Sequence, residues 1–160
     1  GVILGLRSRA DLEAALDTLG KRMEQIDIQL DSVLLQQEIQ GRIEAFVGVT
    51  VDPTIGPIVA LGLGGVLVEL AKDVSFRLPP IGDIDAEEML DRLHARKLLD
   101  GYRGNPPEDH QALIQVVQRV SALVGLIPEL GELDINPIKV LEPGRGAIAV
   151  DARMRIAPLG

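Results

Sequence analysis

Near the C-terminus the residues Glu132-Leu133-Asp134-Ile135-Asn136-Pro137 are followed by an apolar run, the turn Glu142-Pro143-Gly144-Arg145, a second apolar run and Asp151. Strand side chains alternate between faces, so Glu132, Asp134 and Asn136 share one face and Leu133 and Ile135 the other. If Leu141 closes the hairpin opposite Gly146, facing positions keep a constant sum. Asn136 then meets Asp151, and Asp134 meets Arg153. Facing residues in antiparallel strands have Cβ atoms about 4.5–5.5 Å apart. An amide oxygen and a carboxylate at that separation are hard donors, of the kind that hold Mg²⁺ together with substrate phosphates. A structural alternative uses the same residues: an Asn before proline at a strand kink and an Asp in a turn network. Pro137 has no N–H to donate, which implies an edge or a bulge. Asp134 is a further metal candidate or the ion-pair partner of Arg153, and the register favours the ion pair.

Three other groups carry possible chemistry. Gly62, Gly64 and Gly65 follow an apolar run and precede Glu69, Lys72 and Asp73. Successive N–H groups in such a turn can cradle phosphate, and Lys72 and Arg77 can neutralise it or simply stand in water. No P-loop lysine pattern and no full GxGxxG is present. Gln36, Gln37 and Glu38 end an apolar stretch where a purine edge could be received. Glu44 opens the next one and could meet a ribose, a metal or a backbone N–H. His94, placed on a charged helix face beside Arg92 and Arg96, and His110, in the first turn of a long helix, have no triad partner in the sequence pattern. Both are read as surface residues, with no phosphohistidine.

Elements to position these groups follow from the patterning. Val2–Leu6 and Val33–Ile39 read as strands. Ser8 or Asp11 caps a helix running to about Gln25, with Leu12, Ala15, Leu16 and Leu19 at helical spacing. Ala45–Val51 and Ile58–Leu63 are strands, and Val66–Leu78 fits either a helical turn or a strand. Asp85 with Glu88 resembles a capping box. Asn105-Pro106-Pro107 places proline at the start of a helix whose Leu113, Ile114, Val117, Val120, Leu123 and Val124 form one apolar face. Leu98–Pro107 is expected to be a mobile loop, and a hairpin from Leu133 to about Ile156 ends the chain. Hairpin strands, then helices, then a hairpin predict an α+β fold with a largely antiparallel sheet flanked by helices, in a single domain over residues 1–160.

Composition narrows the function. The 160 residues are 46% hydrophobic, enough for a real core. Net charge is −8 and the only aromatics are Phe46, Phe76 and Tyr102, a poor endowment for binding nucleic acid. Cysteine is absent, which removes disulfides and thiolate metal sites and suits a cytoplasmic setting. The longest apolar run, Ile55–Leu70, is broken by Pro57, glycines and Glu69 and is too short to cross a bilayer. No basic n-region of a signal peptide is present. No membrane association is expected.

Gly56-Pro57-Ile58-Val59, then Gly62-Leu63-Gly64-Gly65-Val66-Leu67-Val68-Glu69 and Lys72-Asp73-Val74-Ser75-Phe76-Arg77-Leu78, resemble the ATP-grasp segment of NDP-forming acyl-CoA synthetases. That family includes ADP-forming acetyl-CoA synthetase and is related to the succinyl-CoA synthetase β chain. Leu98-Leu99-Asp100-Gly101-Tyr102-Arg103-Gly104, the Asn136-Pro137 block and Val150-Asp151-Ala152-Arg153 resemble its later blocks in the same order. The resemblance implies the second, C-terminal lobe of an ATP-grasp module, with Mg²⁺ and ATP or ADP as cofactors. It implies Asn136 and Asp151 as metal ligands, with Gln36, Gln37 and Glu38 at the hinge that meets adenine. Glu44, Gly64, Gly65, Lys72 and Arg77 are the other expected nucleotide contacts. The implied parent reaction is acid + CoA + ATP giving acyl-CoA + ADP + phosphate, through acyl phosphate and a phosphorylated histidine. Gly1-Val2 is similar to the interior of a Gly-Gly-Val block. The first lobe and the CoA-binding and ligase domains are then expected as partners, in the same or another chain, with the isolated fragment inactive. The module is also similar to part of bacterial protein lysine acetyltransferases, where it would be a non-catalytic regulatory or scaffold module. A carboxylate–amine ATP-grasp ligase is a third option, against which the Gly-Leu-Gly-Gly and Leu-Asp-Gly-Tyr-Arg-Gly blocks argue.

Overall fold

The computed structural model describes residues 1–64 and 73–157. The chain divides into two compact units, Gly1–Glu38 and Ile39–Gly160. In the first, α1 (Arg9–Glu24) begins as expected. Ser8 is extended, and its hydroxyl accepts the Asp11 N–H, which satisfies one of the free donors of the first turn. Val2–Leu6 and Val33–Ile39 do not form strands. Their β-branched, apolar composition favours extension, but a strand also needs a neighbour for its ladder bonds, and among the described residues no sheet partner pairs with either segment.

The second unit is built on one sheet. Its strands are β1 (Ile43–Asp52), β2 (Gly56–Leu63), β3 (Val74–Arg77), β4 (Leu130–Val140), β5 (Ala147–Ala149) and β6 (Ala152–Ile156). The order is β3-β2-β1-β4-β5, with β6 also paired to β4, and every pairing is antiparallel. This is the α+β architecture the patterning predicts. The segment left open between helix and strand resolves at its C-terminal end into β3, while residues 65–72 lie outside the described part.

Helices α2 (Asp83–Asp91), α3 (Arg96–Leu99) and α4 (His110–Leu126) complete the unit. α2 starts earlier than expected. Gly82 is its N-cap, and the Asp85 carboxylate reaches back to accept the Gly82 N–H at 3.0 Å. α4 starts later than the proline pair suggests, with Asp109 as N-cap, because an aspartate can bond the free N–H groups and a proline cannot. The expected loop 98–107 holds the end of α3 and a 3₁₀ turn, Tyr102–Gly104.

One side of the sheet carries Ala45, Val47, Val49, Val59, Leu61, Leu63, Leu133, Ile138 and Val140. These pack with Met89 and Leu90 of α2 and Leu113, Ile114, Val117 and Val120 of α4 in a single core. A buried Val, Leu or Ile side chain contributes about 1.5–3 kcal/mol, so this face holds the sheet in register. The opposite face carries Glu44, Phe46, Gly48 and Thr50 of β1, half-buried or exposed, and is the open face among the described residues. Among the described residues no helix is long and apolar enough to cross a membrane.

Candidate metal and phosphate site

The open face owes its chemistry to an irregularity in β4. Ala45 pairs with Ile138 and Val47 with Ile135, so Asn136 and Pro137 together oppose Phe46. This is the bulge that Pro137 implied. An extra residue shifts the phase of a strand. Asp134 and Asn136 are exposed before the bulge, while Ile138 and Val140 are fully buried after it. Unbroken alternation would put Ile138 on the side of Asn136. The bulge instead puts Lys139 there, opposite Glu44 of β1.

The hairpin closes in the expected register. The Leu141 N–H donates to the Gly146 carbonyl at 3.0 Å, the Val150 N–H to Pro137 at 2.9 Å, and the Asn136 N–H to Asp151 at 3.1 Å. The flanking pairs are Ile138 with Ala149 and Ile135 with Ala152, so Asn136 and Asp151 face one another. Both side chains are exposed. Asp134 does face Arg153, but the expected ion pair between them does not form. Arg153 Nε lies 3.9 Å from the Asp151 carboxylate, its neighbour two positions back on the same strand face. With the two side chains 83% and 59% exposed, that contact is screened by water and gives way readily to a cation. Asp134 makes no ion pair among the described residues.

Among the described residues no three His, Cys, Asp or Glu side chains converge as a closed metal cage. The donor set that does exist is an amide oxygen, one carboxylate and a second carboxylate nearby on the same face. Mg²⁺ commonly takes one or two protein carboxylates and fills its octahedron with water and substrate phosphate. The residues present fit that ion and are a poor match for one needing nitrogen or sulfur.

The other expected site residues separate. Glu44 Oε1 accepts from Lys139 Nζ at 2.5 Å, and the Glu44 carbonyl accepts the Gly64 N–H at 2.5 Å. That N–H is engaged within the sheet instead of being free for phosphate. A Cβ on Gly62 would collide with the Phe46 ring, so this glycine makes room for an aromatic on the open face. Arg77, expected beside phosphate, instead lies opposite core residue Val59. It pairs with Asp85 and with Glu88 of α2, on the helix side of the sheet. Gly65 and Lys72 lie outside the described residues. Gln36, Gln37 and Glu38 belong to the first unit, where the Glu38 carboxylate accepts the Gly5 N–H at 3.0 Å.

Two aspartates have structural roles that the sequence reading did not assign. Asp109 caps α4 through Ala112 N–H at 3.1 Å, and its other oxygen accepts the N–H groups of Gly144 and Gly146 at 2.9 and 3.0 Å. Its own N–H donates to Leu141 at 2.7 Å. Gly144 and Gly146 have positive φ, which lets the turn present both donors. Asp109 thus clamps the hairpin carrying Asn136 and Asp151 to the main helix. Burial works against its charge, but the N–H groups of Gly146, Ala112 and Gly144 outweigh it and hold the carboxyl pKa below its ordinary value. Asp73 is buried and accepts the N–H groups of His94 and Ala95, both at 2.8 Å, with His94 Nδ1 at 3.1 Å. His94 therefore has a carboxylate partner that its charged sequence neighbours did not reveal, and it sits in the turn before α3 instead of on a helix. Its ring is 96% exposed. Asp73 is likewise held below the ordinary pKa, its backbone and His94 bonds outweighing burial. Both clamps join residues far apart in the chain.

Residues 1–156 match the ATP-grasp domain. The chain belongs to the ATP-grasp family. This ATP-grasp chain is 36% identical over 156 residues to the ADP-forming 4-hydroxybutyrate–CoA ligase of Nitrosopumilus maritimus, a match covering 96% of the chain and 22% of that ligase. It is 39% identical over 156 residues to the β subunit of the ADP-forming acetate–CoA ligase I of Pyrococcus furiosus, covering 96% of the chain and 66% of the subunit. Among solved structures, the dinucleotide-forming acetyl-coenzyme A synthetase 1 of Ca. Korarchaeum cryptofilum, in complex with coenzyme A and Mg-AMPPCP, superposes with a TM-score of 0.84 at 35% identity. That superposition covers 98% of this chain and 68% of the other. The ATP-grasp chain therefore spans only part of the length of these relatives.

Proposed function

We propose that this ATP-grasp chain supplies the metal and phosphate end of the nucleotide site in an ADP-forming acyl-CoA ligase, which converts acid, CoA and ATP to acyl-CoA, ADP and phosphate. The observation that carries this is the facing of Asn136 and Asp151 on the open side of the sheet. The relatives described above are ADP-forming ligases, and one solved relative contains Mg-AMPPCP and coenzyme A. Neither points to the acetyltransferase alternative.

In this function Asn136 contributes its amide oxygen and Asp151 its carboxylate to Mg²⁺, with Asp134 as a further acidic group on the same face. When bound, the ion neutralises phosphate charge, and phosphoryl transfer depends chiefly on such neutralisation and on positioning. The chain's own task is rigidity. The bulge aims Asn136, the β5–β6 step aims Asp151, and the Asp109 clamp fixes the hairpin. A preceding ATP-grasp lobe and CoA-binding domains, in the same or a partner chain, would complete the site, in a cytoplasmic setting. Gln36, Gln37 and Glu38 of the first unit are proposed as adenine contacts. Arg77 has no part in the proposed site.

The test is a turnover assay on the complete protein with Mg-ATP, CoA and a panel of short carboxylic acids. ADP release that requires both CoA and an acid is expected. Tight Mg-ADP binding with no such release across the panel would favour a regulatory module instead.

A further inference from the structure

We infer that Lys139 is a phosphate-binding cation of this site and that Glu44 is its anchor, an inference that rests on the proposed nucleotide function above. Lys139 lies after the bulge, on the same face as Asn136, and at the ordinary rise of a strand about 10 Å beyond it. Its side chain is only 20% exposed. The stem runs against the backbone of Gly41, where an added Cβ would sit 3.1 Å from Lys139 Cβ and 3.4 Å from Cδ. Ile148 faces it on β5. A lysine ammonium has three donors, and Glu44 Oε1 takes one at 2.5 Å. Among the described residues the others have no partner and are available to an anion.

Among the described residues the charge distribution singles this lysine out. The chain carries a net charge of −8, and the open face presents Glu44, Glu132, Asp134 and Asp151, so a polyanion needs a local cation. Arg42 is bound to the buried Glu108 and to the Pro106 carbonyl, and Arg77 to Asp85 and Glu88 on the other side. Arg153 and Arg155 do stand on the open face, but their side chains are 83% and 63% exposed and solvent screens them. Lys139 is held in place before any ligand arrives, so ordering it costs little on binding. The Glu44 carboxylate directs the half-buried ammonium.

Calorimetric titration of the complete protein with Mg-ADP, at low and high salt, tests this. Lys139→Met keeps the apolar stem and should weaken Mg-ADP binding about ten- to a hundredfold, the loss of one charge-assisted bond, with a shallower dependence on salt. Lys139→Arg should recover part of the affinity. Glu44→Gln should weaken binding less than Lys139→Met, since it loosens the ammonium without removing it. Unchanged affinity and salt dependence in Lys139→Met, or tighter binding in Glu44→Gln, would overturn the inference. Asp151→Asn in the same titration separates the two claims. If it abolishes the Mg²⁺ dependence while Lys139→Met behaves as wild type, the metal site stands and the lysine assignment fails. If neither variant differs from wild type, both fail.

Discussion

Asn136 and Asp151 face each other at the step between β5 and β6, joined by an N–H to carbonyl bond of 3.1 Å. The same backbone hydrogen bond sets the register, and the amide and carboxylate side chains stand exposed, the carboxylate 3.9 Å from Arg153 Nε. Backbone pairing does the positioning, and the proposed metal role falls to the side chains.

The hairpin is held from outside by Asp109, whose two oxygens take three backbone N–H groups. Asp109→Ala removes a helix cap, worth about 1 kcal/mol, and two charge-assisted bonds to the turn. A loss of about 2–4 kcal/mol in urea denaturation is expected, together with reduced protection of the Gly144 and Gly146 amides in hydrogen exchange. Wild-type stability and protection would remove the clamp from the mechanism.

The same aspartate makes a pH prediction. A carboxyl whose folded pKa is lowered stabilises the fold fully above its unfolded pKa, about 3.9, and loses that contribution as pH falls through the folded value. Asp109 and Asp73 are both lowered. Thermal stability should therefore be insensitive to these two groups near neutrality and should fall below about pH 4. In Asp109→Asn the stability deficit should be largest near neutrality and shrink toward wild type through the acid limb. A deficit that does not change with pH would contradict the charged clamp.

Gly62 is buried beneath the Phe46 ring. Gly62→Ala should force the ring aside at a cost of about 1–3 kcal/mol, the usual range for overpacking. Pairing it with Phe46→Leu should recover most of the loss. The double variant reads out a direct contact. If the two effects simply add in chemical denaturation, the ring does not rest on this glycine.

Much of this was legible in the sequence, for a physical reason in each case. Period-two alternation with a Pro-Gly turn fixes a hairpin register, so the facing of Asn136 and Asp151 could be read directly, as could the apolar face of α4. Pro137 signalled a bulge, but not which way the strand would resume. Lys139 is an odd number of residues from Asn136, and simple alternation puts it on the wrong side. The side of the sheet on which Arg77 lies is set by the register of its short edge strand with β2, which nothing local encodes. Asp109 and Asp73 bond groups far away in the chain, so their roles exist only once the fold brings those donors together. Val2–Leu6 and Val33–Ile39 have strand composition, but composition supplies no ladder partner.

The most direct test of the metal pair is the turnover of the complete protein across a Mg²⁺ titration, comparing wild type with Asp151→Asn. The substitution keeps size and shape and removes one charged oxygen donor. Turnover should fall at least about tenfold at saturating ATP, with a higher Mg²⁺ requirement and an unchanged fold by circular dichroism. Wild-type turnover and Mg²⁺ dependence in that variant would contradict the assignment of Asn136 and Asp151 as the metal ligands.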